Sequence, residues 1–212
     1  MNKTMTGLMD FIFGVNPNCA LCGRDVVNGQ YGICADCIET FPFAERPLIG
    51  KSLSVCRYEP PVKQMIYDYK YNEQRYLGKS MAQMMADLVL SYKLEFDYVL
   101  TVPSSEKRKK IRGFDHTRYI AEVLSENLGI EYSDTFLVRT RETNRLKGLS
   151  KAERLVELDS VFEVDFGEAL QGKQLLLIDD ILTTGATLSA CTQVLMPYQP
   201  KEVYWLTFAM VE

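Results

Sequence analysis

Residues 175 to 187 run Leu-Leu-Leu-Ile-Asp-Asp-Ile-Leu-Thr-Thr-Gly-Ala-Thr, and this stretch restricts the fold of the 212-residue chain more than any other. A continuous apolar run without period-2 alternation belongs to a strand covered on both faces, the condition of a parallel sheet in an α/β protein. The run, KQLLLIDD (173–180), delivers two carboxylates, Asp179 and Asp180, at its end. A Thr183-Thr184-Gly185 turn then opens the helix ATLSACTQVLM, and EVYWLTFAMV returns as a strand. Strand, helix, strand in that order needs a crossover, so the domain is α/β with a mostly parallel sheet.

From residue 52 the chain alternates in the same way. SVCRY and YVLTVP (98–103) are short strands, and PVKQMIYDYKY and GKSMAQMMADLVLSYK are helices. The Met and aromatic residues of 65–85 recur at helical spacing, so they pack a core. After YVLTVP comes a basic loop, then the helix HTRYIAEVLSENLG, ending at a glycine C-cap at Gly129. The strand TFLVRT leads into a long polar connection, 139–154, whose second half is helical in composition.

Residues 1 to about 50 have a different texture and form a separate N-terminal metal-binding module, with 51–212 as the main domain. Cys19-Ala-Leu-Cys22 and Cys34-Ala-Asp-Cys37 are two CxxC knuckles separated by eleven residues. Each pair bends the chain around an ion, and a short hairpin brings four thiolates to one tetrahedral zinc. Apolar residues make up 47% and charged residues 25%, globular proportions, while the net charge of -4 confines any nucleic-acid contact to a local patch. Without a secretory signal in MNKTMTGLMDFIFG or a long apolar span, the expected location is the cytoplasm with no membrane insertion, where cysteines serve as thiols and metal ligands. Two disulfides or a redox CxxC fit that setting and that spacing less well. Cys56 and Cys191 lie outside the pattern and are expected in the core.

At the Thr/Gly turn the chemistry suits a ribose 5-phosphate. Backbone N–H groups of Thr184, Gly185, Ala186 and Thr187 at a helix N-terminus can cradle a phosphate, and the hydroxyls of Thr183, Thr184 and Thr187 add donors. Asp179 and Asp180 can accept from vicinal ribose hydroxyls, with magnesium shared with a diphosphate. A second cradle for pyrophosphate, or a track for a nucleic-acid backbone, is Ser104 and Ser105 with Lys107, Arg108, Lys109, Lys110 and Arg112. His116, at the start of a helix, is expected in a surface or capping role. Gly167–Gln174 imitates an ATPase P-loop but ends in Gln174 where Ser or Thr should bind magnesium, and it precedes a strand.

The apolar run, two acids and Thr-Gly turn resemble the type I phosphoribosyltransferases. With the cysteines, Tyr69-Lys70-Tyr71 ahead of Leu77-Gly78, Arg112-Gly113-Phe114-Asp115, and Arg139 to Phe162 with Leu149-Ser150 and Arg154, nearly the whole chain resembles the ComF family, of the ComFC type. It departs from that family at Asp115, Leu146 and Glu157, where amides are frequent. The resemblance implies a type I phosphoribosyltransferase fold behind a zinc finger, and a competence accessory in DNA uptake. Such an accessory partners the ComFA ATPase and single-stranded DNA, with Arg139, Arg141, Arg145, Lys147 and the basic loop on phosphates and tyrosines stacking on bases. It also leaves open an active transferase that binds phosphoribosyl pyrophosphate and magnesium, with an unassigned acceptor and no assigned catalytic residue.

Overall fold

The computed structural model describes residues 18–26, 29–72, 74–142, 157–158 and 160–211. Its strands are β1 (Leu48–Ile49), β2 (Ser52–Arg57), β3 (Tyr98–Thr101), β4 (Glu131–Ser133), β5 (Leu137–Arg139), β6 (Phe162–Val164), β7 (Gln174–Leu182) and β8 (Glu202–Met210). Its α-helices are α1 (Ala35–Glu39), α2 (Val62–Tyr71), α3 (Tyr76–Ser91), α4 (Glu106–Arg112), α5 (His116–Leu128) and α6 (Ala186–Leu195). Six strands form one sheet in the order β1-β2-β8-β7-β3-β4. Only the β1–β2 pair is antiparallel; the other four pairings are parallel. Strands β5 and β6 form a separate antiparallel hairpin.

Strand β7 sits between β8 and β3, and Leu175 to Ile178 are fully buried. Successive side chains of a strand point to opposite faces, and here they enter two different cores. Leu176 and Ile178 join Leu206 and Phe208 beneath α2, α3 and α5, whereas Leu175 and Leu177 join Val203 beneath α6 and the hairpin. Helix α2 buries Val62, Met65, Ile66 and Tyr69, a stripe at helical spacing. Where α3 meets α2 and α5, a Cβ on Gly78 would lie 2.7 Å from the Tyr69 ring and 2.8 Å from the Tyr119 ring, so no larger residue fits that approach. Cys56 and Cys191 are buried, as expected of core thiols. The four-cysteine segment rests on the same face as α2 and α3: Cys19, Ile33, Cys34 and Phe41 share a cluster with Leu53 and Met81.

The basic segment after β3 is a helix, not the expected loop. Glu106 in the first turn of α4 and Lys109, Lys110 and Arg112 in its last turn complement the helix dipole. Lys109 Nζ also reaches Glu106 at 3.0 Å, and the Lys109 N–H donates to the Ser105 carbonyl. The connection expected to turn helical falls largely on 143–156, outside the described residues, as do Arg145, Lys147, Leu149, Ser150 and Arg154. Among the described residues no helix is long and apolar enough to cross a membrane.

Candidate functional site

Parallel pairing sets Thr101 of β3 beside Ile178 of β7. The chain leaving β3 (Val102 to Ser105) therefore lies against Asp179 and Asp180, at the sheet's carboxyl edge, where open α/β sheets bind ligands. Between them is a cavity of about 110 Å³. Lys70, Arg112 and Arg139 bring cations to its wall, against Asp179 and Asp180, and Ser104, Ser105 and Thr187 bring hydroxyls.

The two aspartates do different work because they are neighbours on a strand. Asp180 points to the face of Leu176 and Ile178, where its Oδ2 accepts from Lys70 Nζ and lies 2.9 Å from His116 Nε2. Burial alone would raise its pKa, but Lys70 and His116 overrule burial and hold the carboxyl well below the usual carboxylate range. Asp179 points to the opposite side and is half-buried; one of its carboxylate oxygens accepts the Asp180 N–H at 2.8 Å.

His116 corrects the surface assignment: it is 5% exposed. The capping role belongs to Asp115, whose Oδ1 accepts the Arg118 N–H at 3.3 Å. Burial, with Lys70 and Arg112 nearby, pushes the imidazole pKa down in spite of Asp180, so the ring is neutral. Arg112 Nη1 lies 2.7 Å from Nδ1. A guanidinium can only donate, so Nδ1 accepts and Nε2–H donates to Asp180. Arg112, His116, Asp180 and Lys70 thus form one hydrogen-bonded chain along the cavity wall. Tyr69 props it from behind: fully buried, it donates its hydroxyl to the His116 carbonyl at 2.6 Å.

Of the predicted site residues, the structure gathers Asp179, Asp180, Thr187, Ser104, Ser105 and Arg112 in this cavity. Thr183, Thr184 and Gly185 line a neighbouring groove of about 220 Å³ with Ser52 and Trp205. Gly185 has φ +71, a left-handed conformation that suits glycine, and an added Cβ would lie 3.2 Å from the Trp205 ring. Ala186 opens α6, its N–H donating to Thr184 Oγ1 at 3.4 Å. Lys107 and Lys110 are exposed on α4, and Lys109 reaches Asp115 at 3.4 Å. Arg108 lies on the same helix.

Lys70, His116 and Arg139 complete the cavity, and sequence reasoning gave none of them a place in a small-molecule site. Arg139 ends β5, donates from Nη1 to the Pro103 carbonyl at 3.4 Å and lies over Phe162. A signal existed for Lys70: it stands four residues after Ile66, at the edge of the apolar stripe of α2.

At the N-terminus the sulfurs of Cys19, Cys22, Cys34 and Cys37 all lie within 4.8 Å of one another, close enough to hold a metal ion. Cys22 Sγ and Cys34 Sγ are 3.7 Å apart. A tetrahedron with metal–sulfur bonds of about 2.3 Å has edges of roughly 3.8 Å. The N–H groups of Leu21 and Cys34 point at Cys19 Sγ, 3.4 and 3.3 Å away, as amides do around a thiolate.

Fold and site together define an α/β protein with a mostly parallel sheet, a cation-lined cavity at its carboxyl edge and a four-cysteine cluster. No family model matches the sequence. Competence protein ComFC of Streptococcus pneumoniae is 33% identical over 159 residues, covering 74% of this chain and 66% of that protein. DNA utilization protein YhgH of Escherichia coli K12 is 25% identical over 183 residues, covering 84% and 77%. A solved purine phosphoribosyltransferase from Pyrococcus horikoshii is 16% identical and covers 76% of this chain and 79% of that one, with a TM-score of 0.41. The chain is thus similar in sequence to bacterial competence proteins and DNA utilization proteins.

Proposed function

We propose that the protein is a cytoplasmic accessory of DNA uptake in natural transformation, contacting single-stranded DNA and a ComFA-type ATPase, and that its cavity binds phosphoribosyl pyrophosphate or a similar sugar phosphate. The supporting observation is the meeting of Lys70, Arg112 and Arg139 with Ser104, Ser105 and Thr187 at the carboxyl edge of β3 and β7. That donor set suits phosphate oxygens, and Asp179 remains on the cavity wall for ribose hydroxyls or a magnesium shared with the diphosphate. The relatives' names, competence protein and DNA utilization protein, support the process.

A DNA contact has local cations to use despite the net charge of -4. Lys107, Lys110 and Arg141 are exposed. The cysteine cluster takes zinc in a closed four-sulfur site, a structural role. Transfer of the phosphoribosyl group to an acceptor has less support: both ring nitrogens of His116 are engaged, leaving it no lone pair to act as a base.

Fluorescence anisotropy of a labelled single-stranded oligomer at increasing salt tests the DNA role. The log–log slope should be about −0.7 for each phosphate engaged. A flat dependence, or no binding at low salt, contradicts it.

A further inference from the structure

Helix α2 carries a second pattern on its outer side. Lys63, Tyr67 and Tyr71 follow one another at i, i+4 and i+8, which puts them on one face. Tyr67 is 53% exposed and Tyr71 48%. Their ring centroids are 5.2 Å apart at an interplanar angle of 45°. With Tyr58, Ile66 and Ile181 they line a groove of about 370 Å³.

The groove and the cavity meet at one shared residue, Lys70. Arg112, from the cavity wall, lies over the Tyr71 ring at 5.4 Å and donates from Nη2 to the Tyr71 hydroxyl at 3.3 Å. At the other end Lys63 lies over the Tyr58 ring at 5.4 Å. Asp68, the acidic residue of α2, accepts from Gln64 and Asn72. An aromatic floor between two cationic ends is complementary to a flat ring carried on a phosphodiester.

We propose that this groove is a base-stacking subsite for single-stranded DNA, in which a base lies on the exposed Tyr67 ring with Tyr71 at its edge while its phosphate faces Lys70 and Arg112. The inference rests on the DNA reading above and adds the surface that would carry it. Stacking does not discriminate among bases, so the site would accept any sequence.

The test compares a labelled oligothymidylate with an oligomer of equal length made of abasic deoxyribose phosphates, which has the same charge and no ring to stack. Wild type should bind the oligothymidylate more tightly. Tyr67→Ala, which alters an exposed residue outside the cavity, should lower that affinity about 5- to 150-fold, the conversion of about 1–3 kcal/mol per stacked base. It should leave abasic binding unchanged, and Tyr67→Phe should restore the loss. An equal loss on both oligomers, or no loss on either, overturns the stacking subsite while leaving the DNA role standing. If wild type binds neither oligomer, both proposals fall.

Discussion

Removing the negative charge of Asp180 exposes how the cavity wall is held. In Asp180→Asn the Lys70 ammonium keeps its place with no counter-ion, and both side chains of this pair are nearly buried, at 11% and 12% exposure. An exposed ion pair is worth about 0–1 kcal/mol. Breaking a buried pair from one side costs about 3–5 kcal/mol, because an uncompensated charge stays in a poorly solvated site. Lys70→Met should cost a similar amount, since neutral His116 alone does not balance the carboxylate. The double variant removes both charges together and should lose far less than the two single losses added. Urea unfolding of the four proteins, in metal-loaded form at neutral pH, gives the cycle directly. Additivity of the single losses to within about 0.5 kcal/mol would refute the buried pair and the wall built on it.

Further expectations come from neighbouring residues. His116, the chain's single histidine, has a folded pKa below the ordinary 6.5, so below that pH the unfolded chain takes up a proton that the native one refuses. Stability should therefore fall as pH drops from about 6.5, and His116→Gln should flatten that slope in thermal unfolding between about pH 5 and 7; an unchanged slope would contradict a neutral buried imidazole. Gly78→Ala should cost about 1–3 kcal/mol through the Tyr69 and Tyr119 rings, read by the same urea unfolding, and a neutral effect would show that the helices can part there. Metal analysis should return about one zinc per chain, and Cys19→Ser with Cys34→Ser should lose it and loosen the N-terminal segment by hydrogen exchange.

The elements legible from sequence are those whose signal is local. The run from Leu175 to Ile178 has no alternation because both faces of β7 are covered, and two CxxC pairs eleven residues apart can close on a single ion. The glycine at 129 does end α5, with φ +68. What stayed hidden depends on distant partners. Asp180 meets Lys70 and His116 from elements far away in sequence, so nothing near any of them showed that the carboxylate faces inward. Strand alternation implies that Asp179 and Asp180 diverge, and Asp180 does turn to Lys70 and His116 while Asp179 faces the other side. The lone histidine looked like a helix-start surface residue because burial of a polar ring is decided by tertiary packing. A run of cations looked like a loop although Glu106 at its head and Arg112 at its end suit a short helix.

Titration calorimetry of the zinc-loaded protein with phosphoribosyl pyrophosphate and magnesium addresses the cavity most directly. Saturable binding at one site is expected, weakened about tenfold or more by Arg112→Ala, the loss of a charge-assisted hydrogen bond. Absence of any heat or affinity for a phosphorylated ribose, with and without magnesium, would contradict the sugar-phosphate site.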